Sequence, residues 1–408
     1  MLALVLTLFA MVILPQTRLE LESAPFLVCA AIALVFAASS RIRQVRSKAA
    51  LVIGGFLFLC LAHVAFVFAG VVTTDEYVRG LIPFLFLGFF YITTRLTSLQ
   101  NFRMLYLGLI AVALVYSLEN VILLPKILSG EIWRSTYVNS NHNIPLPVVG
   151  FHFCVALSMS RQVQFKFKLA LLALAGVMLL SSFLTGTRSL ILSTLFPLII
   201  LPFTQAGSLK KWIRYGVALT LLATVFLFVP IEPLLRGARI GGTQEGSIDT
   251  RMQENRVAWD FITESPIIGN GLGFRFSTTG LYYQATRVGY VHNSLLYLLM
   301  DFGVFGLLYF IAPLCAVQSL KQVRAGPHRD HAVGVFMALM AVSMDSLGFA
   351  MARLMHFNIV FSILIGMLEV LKREYATGNW RICCYRLVPA NPSRGIPFVR
   401  GTPTPTAG

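Results

Sequence analysis

Charge is what this sequence has least of. Only 12% of its 408 residues are charged, and 57% are hydrophobic. Soluble domains carry roughly a quarter charged residues, so an ordinary water-soluble globule is excluded. Cysteine is sparse too. Cys29, Cys60, Cys154 and Cys315 lie in apolar runs, and Cys383 and Cys384 sit in a basic tail. No extracellular disulfide framework is visible in that pattern. No Asp-x-Asp motif occurs, and no H-x-x-x-H or C-x-x-C pair offers metal-ligand spacing. We therefore expect neither a metal nor another cofactor.

What the chain has instead is a series of apolar runs, roughly 15 to 24 residues each, long enough or nearly so to cross a bilayer. They are continuous and do not alternate with period two, which argues against a barrel. The expected fold is an all-α polytopic membrane protein with about twelve spans. They fall near 1–15, 24–38, 49–72, 80–94, 104–124, 144–160, 169–185, 189–203, 215–231, 292–317, 332–351 and 354–371. The first run lacks a positive n-region and a small-residue cleavage site, so it reads as a span and not as a signal peptide.

The basic residues alternate between sides. Loops 39–48, 95–103, 161–168, 204–214 and 318–331 hold fifteen Lys and Arg against one acid, Asp330. The short loops between them are nearly balanced. By the positive-inside rule the first set is cytoplasmic, and so are both termini. This distribution accounts for much of the net charge of +16 without nucleic acid as a partner. The resulting organisation is spans 1–9 in residues 1–231, one long outside loop at 232–290, spans 10–12 in 291–371, and a basic tail at 372–408. The end of that tail, rich in Pro, Gly and Thr, reads as disordered.

Few polar groups sit in the spans. No Lys or Arg falls inside them, but Glu119, Asp301, Asp345 and Glu369 do. Charges in the membrane interior mark functional or paired roles. For Glu369, beside a basic tail, a span-end position reaching water is the simpler reading. Asp301 lies nine residues beyond His292, some 13 Å along a helix, and reads as structural.

The long loop carries the densest chemistry. Residues 251–264 read as an amphipathic helix with Met252, Val257, Ala258, Phe261 and Ile262 on its apolar side and Arg251 in its first turn. Pro266 ends it. "GNGLG" follows, and Gly269, Gly271 and Gly273 form a turn of a kind that can cradle phosphate. The loop re-enters the bilayer at "VHNSLLYLLMDFGVFG", which places His292 at the outer boundary, within reach of both water and substrate. Gly303 and Gly306 in that stretch permit close packing or a kink. Two further outside residues stand out: Arg188 in "LTGTRSL", pinned in a short hairpin, and His142 in "NSNHN", a possible substrate contact.

Three blocks together, "TGTRSL", "TRMQENRVAW…SPIIGNGLG" and "HNSLLYLLMDFGVFG", resemble the O-antigen ligase superfamily. Their order and topology agree with it, and the residue-level likeness covers about 185–306. The sequence departs from the family where Asn255 replaces a frequent tryptophan and Asp301 a frequent glutamate. The resemblance implies a GT-C-type glycosyltransferase of the bacterial inner membrane, acting on its periplasmic side. Its donor would be a glycan on undecaprenyl diphosphate and its acceptor a lipid A–core sugar. It points to Arg188 and Arg251, with Arg256 as a weaker candidate, for binding the diphosphate. Guanidinium groups suit that role because they bind phosphate bidentately and stay charged. His292 is the candidate general base for direct, metal-independent, inverting transfer. An O-antigen polymerase using the same donor is the near alternative. A twelve-span secondary transporter, with Glu119 and Asp345 in proton coupling, is the alternative from another class.

Overall fold

The computed structural model describes residues 47–123, 145–160, 163–184, 190, 193–198, 244–279, 284–288, 291–317, 329–348 and 351–376. The expected spans at 1–15, 24–38 and 215–231, and most of 189–203, lie outside them. Among the described residues, seven stretches are long and apolar enough to cross a membrane: 48–68, 74–96, 101–122, 165–182, 294–317, 329–347 and 355–373. A shorter apolar helix covers Leu146–Ser158. The architecture is that of a polytopic helical membrane protein.

The first described span is α1 (Lys48–Ala62), broken at His63 and continued as α2 (Val64–Phe68). Next come α3 (Thr74–Leu85) and α4 (Phe89–Leu96), joined by a 3₁₀ turn. The span expected at 80–94 therefore begins six residues earlier. The reason is a capping box: the Thr73 hydroxyl accepts from the Glu76 amide, and the Glu76 carboxylate accepts from the Thr73 amide. α5 (Leu99–Ile122), α6 (Leu146–Ser158) and α7 (Phe165–Leu184) pack together. Small residues allow it: Gly150 on α6 sits against Ala113 and Met178 with no room for a side chain.

α8 (Gln244–Glu264) lies in the loop expected outside. It starts seven residues before the expected 251, so Arg251 lies two turns inside it. Its end just before Pro266 is as expected. Beyond it the loop holds a feature not foreseen in an all-helical fold, a hairpin of β1 (Phe276–Thr279) and β2 (Gln284–Val288). The strands are antiparallel, pairing Phe276 with Val288 and Thr279 with Gln284 around a bulge.

α9 (Ser294–Phe302) and α10 (Leu308–Val317) together form the stretch 294–317, in keeping with the expected span 292–317, with the helix interrupted inside it where a kink was expected. Gly303 takes φ +58°, closed to most side chains, and a 3₁₀ turn follows. A Cβ on Gly306 would collide with the carbonyl of Leu298, eight residues back. In a continuous helix those residues would stand about 12 Å apart, so the chain turns a sharp corner here. α11 (Arg329–Gly348) and the almost wholly buried α12 (Met355–Ala376) complete the bundle. α12 continues past 371, where the tail was expected to begin.

The segments assigned outside meet at one end. Arg275 Nε lies 3.2 Å from Glu76 Oε1, and the Ala352 amide donates to the Ser294 hydroxyl at 3.1 Å. At the other end, Arg373 donates to the carbonyls of Thr94 and Thr97, 2.8 Å each, and Lys372 lies 3.8 Å from buried Glu369. A buried aromatic group, Phe56, Phe84, Phe302 and Tyr309, joins α1, α3, α9 and α10 with ring centroids 5.2 to 6.3 Å apart. Asn358 locks the same region. It accepts from the Tyr309 hydroxyl at 2.7 Å and donates to the carbonyls of Pro83 and Ala352.

Candidate active site

α8 lies along α9. Its inward residues follow helical spacing: Glu254, Ala258, Phe261 and Ile262. Ala258 and Ile262 are buried, and Phe261 packs on Phe274 and Phe276 with centroids 5.0 and 5.9 Å away. Met252, expected on this side, is half exposed instead. That leaves a carboxylate, Glu254, at the end of an otherwise apolar stripe.

Glu254 is 4% exposed and has a partner. Its Oε2 lies 2.7 Å from Nδ1 of His292. A buried carboxylate without a hydrogen-bonding partner is costly, so the imidazole and the carboxylate stabilise each other's position. The next two residues fix the ring's place. Asn293 caps α9, its Oδ1 accepting from the amides of Leu295 and Leu296. Ser294 accepts from Ala352. The polar "HNS" thus resolves into a dyad member, a helix cap and a tie to the turn before α12. With the carboxylate accepting the Nδ1 proton, the ring is held in the tautomer whose Nε2 is the acceptor nitrogen.

The glycine turn has a different role from the expected phosphate cradle. Every amide from 269 to 274 already has an acceptor. Gly269 donates to the Ser265 carbonyl, Asn270 to Met300, Gly271 to Asp301 and Phe274 to Gly271. Leu272 donates to His63 Nδ1 at 3.1 Å, and Gly273 to Asp301 Oδ2 at 3.4 Å. Gly269, Gly271 and Gly273 have φ of +73°, +99° and +87°. A side chain there would strike the backbone of Asp301, the ring of Phe66 and the backbone of Glu76 respectively. The turn is a clasp holding the loop onto α3 and the end of α9. Asp301, buried and remote from His292, serves that clasp, as its structural reading expected. His63 does so as well, packed between Phe66 and Phe302.

The remaining candidates divide. Arg188 and His142 lie outside the described residues. Arg251 is on α8 three positions before Glu254, a spacing that puts both on one helical face. Arg256 is exposed and lines an open groove of about 420 Å³ with Met252, Asn255, Trp259, Asp260 and Leu296. Glu119 is exposed near the end of α5, whereas Asp345 is buried in α11.

Sequence reasoning missed Glu254, although a signal was available. Helical spacing from Ala258, Phe261 and Ile262 places it on the buried face, where a carboxylate needs a partner.

A bundle of membrane-spanning helices with a carboxylate–imidazole pair at the end where the segments expected outside gather defines a class: an integral membrane protein with a candidate acid–base centre. The comparison with known families narrows it. Residues 170–311, which hold both members of the pair, match the model of a family described as O-antigen ligase. A search of curated proteins finds no match.

Proposed function

We propose that this protein is an O-antigen ligase that transfers a glycan from undecaprenyl diphosphate to a lipid A–core sugar at the periplasmic face of the inner membrane. The observation that carries this reading is the 2.7 Å contact between Glu254 and His292 inside the family-matched region. An acceptor hydroxyl gives its proton to Nε2 of His292 as its oxygen attacks the anomeric carbon of the donor. The bond from that carbon to the diphosphate oxygen breaks, and undecaprenyl diphosphate leaves with the electron pair. Glu254 holds the ring and stabilises the imidazolium that forms. Direct attack inverts the anomeric centre. General base catalysis of this kind contributes about 10²–10⁴-fold.

The leaving diphosphate needs cationic partners. Arg251 is assigned to it because it shares a helical face with Glu254, and Arg188 because the family resemblance points there. Guanidinium groups would supply the electrostatic stabilisation that a metal gives in Asp-x-Asp transferases. Orientation follows from the charge pattern: segments assigned outside by the positive-inside rule gather at the dyad end.

The test is a reconstituted transfer assay with undecaprenyl-diphosphate glycan, chelator present, and each acceptor in turn. Glycan on lipid A–core is the expected result. Longer lipid-linked glycan would assign a polymerase instead. No transfer to either acceptor, together with solute uptake in vesicles, would overturn the reading in favour of a transporter.

A further inference from the structure

We propose that the open groove on α8 is a saccharide subsite, in which a sugar ring of the acceptor stacks on Trp259 beside the dyad. This rests on the glycosyl-transfer reading above and names the part of the substrate that the groove takes. Met252, Asn255, Arg256, Trp259 and Asp260 recur at helical spacing along one face of α8. Leu296, from the first turn of α9, also lines it, four residues after His292, and Asn255 is the neighbour of Glu254 in the chain.

Three features choose the occupant. First, Trp259 is 55% exposed and Met252 50%, outside the membrane-spanning segments. An indole left half in water on a packed helix offers a flat apolar face, and a pyranose ring offers a matching face of C–H bonds. Second, the polar residues around it are an amide, a guanidinium and a carboxylate. Together they donate and accept, as vicinal hydroxyls require. A lipid chain would leave all three desolvated without partners. Third, the groove carries one cationic and one anionic side chain. A diphosphate would meet the Asp260 carboxylate, so the donor's leaving group belongs elsewhere, and Arg256 is a sugar contact here instead of a phosphate clamp. The groove is also open, which lets a long acceptor glycan lie across it with both ends free.

The experiment uses the full chain in detergent and two probes without lipid or phosphate: dephosphorylated core oligosaccharide and free O-repeat oligosaccharide. Binding is read by calorimetry for the native protein, Trp259→Ala, Trp259→Phe and Asn255→Ala. At least one saccharide should bind the native protein, weaken about tenfold or more in Trp259→Ala, and recover in part in Trp259→Phe. In the transfer assay the same variants should raise the acceptor KM and leave the donor KM unchanged. Saccharide binding that depends on Trp259, in a protein that transfers nothing, would sustain the subsite and sink the transfer reading alone. Transfer with an unaltered acceptor KM in Trp259→Ala and Asn255→Ala would sink the subsite alone. Failure of both saccharides to bind, or a raised donor KM with an unaltered acceptor KM, would also overturn the proposal.

Discussion

Nδ1 of His292 and Oε2 of Glu254 stand 2.7 Å apart, although 38 residues separate them in the chain. One lies just before a helix and the other is inside a helix that runs alongside it, so their meeting depends on how the segment that carries α8 is clasped to the bundle. The imidazole is partly exposed and the carboxylate almost fully covered. That ordering suits a base presented to substrate and oriented from behind.

The first prediction concerns this pair. His292→Ala should lower kcat for transfer by about 10²–10⁴-fold. Glu254→Gln should lower kcat with little change in either KM, because it alters ring orientation and charge but no substrate contact. The double variant should be little worse than His292→Ala, since residues acting as one unit are not additive. Full activity in Glu254→Gln would remove the orienting role.

Arg251 should behave as a diphosphate ligand. Arg251→Ala should raise the donor KM or lower kcat/KM for donor about tenfold or more, and Arg251→Lys should restore only part of it, because lysine cannot pair bidentately. Arg188→Ala should act alike. Unchanged donor kinetics in both variants would detach the guanidinium groups from the reaction.

The glycine clasp makes a stability prediction. Gly269→Ala and Gly273→Ala force a Cβ into a positive-φ position and against backbone, and each should cost about 1–3 kcal/mol or more. Thermal unfolding in detergent would show this. Gly176→Ala, in α7 with nothing within 4 Å, is the control and should be neutral or slightly stabilising.

At the opposite end, Arg373→Ala removes two 2.8 Å hydrogen bonds to the carbonyls of Thr94 and Thr97. Bonds to a charged donor contribute about 1.5–3 kcal/mol each, net of the exchange with water. The unfolding midpoint should fall while kcat per folded molecule stays unchanged. A loss of kcat without loss of stability would show that this end influences the chemistry.

Several elements were legible because the signal was local. The amphipathic stripe of α8, its end before Pro266 and the break potential of "DFGVFG" are all written in consecutive residues. The start of α8 was not, because "QEGSIDT" has no apolar periodicity and its helix was not read from the chain. The hairpin 276–288 was missed because strands of four and five residues give too few alternations to count. The glycine turn was ambiguous for a physical reason. Positive-φ glycines are equally the mark of amides exposed to an anion and of backbone pressed against backbone. Only the contacts with Asp301, Phe66 and Glu76 tell these apart. His63 shows the same limit: an isolated histidine in an apolar run gives no hint that its acceptor nitrogen will meet an amide 209 residues away.

The corner at Gly303 has a mechanical consequence. Helices that pass straight through a bilayer answer a change in its thickness by tilting. The helix that follows the base ends at this corner and packs along α8, so tilting of α10 should stop there and not reach the imidazole. Turnover should therefore vary little between vesicles made from short-chain and long-chain phospholipids, whereas replacing Gly303 should make it depend on acyl length.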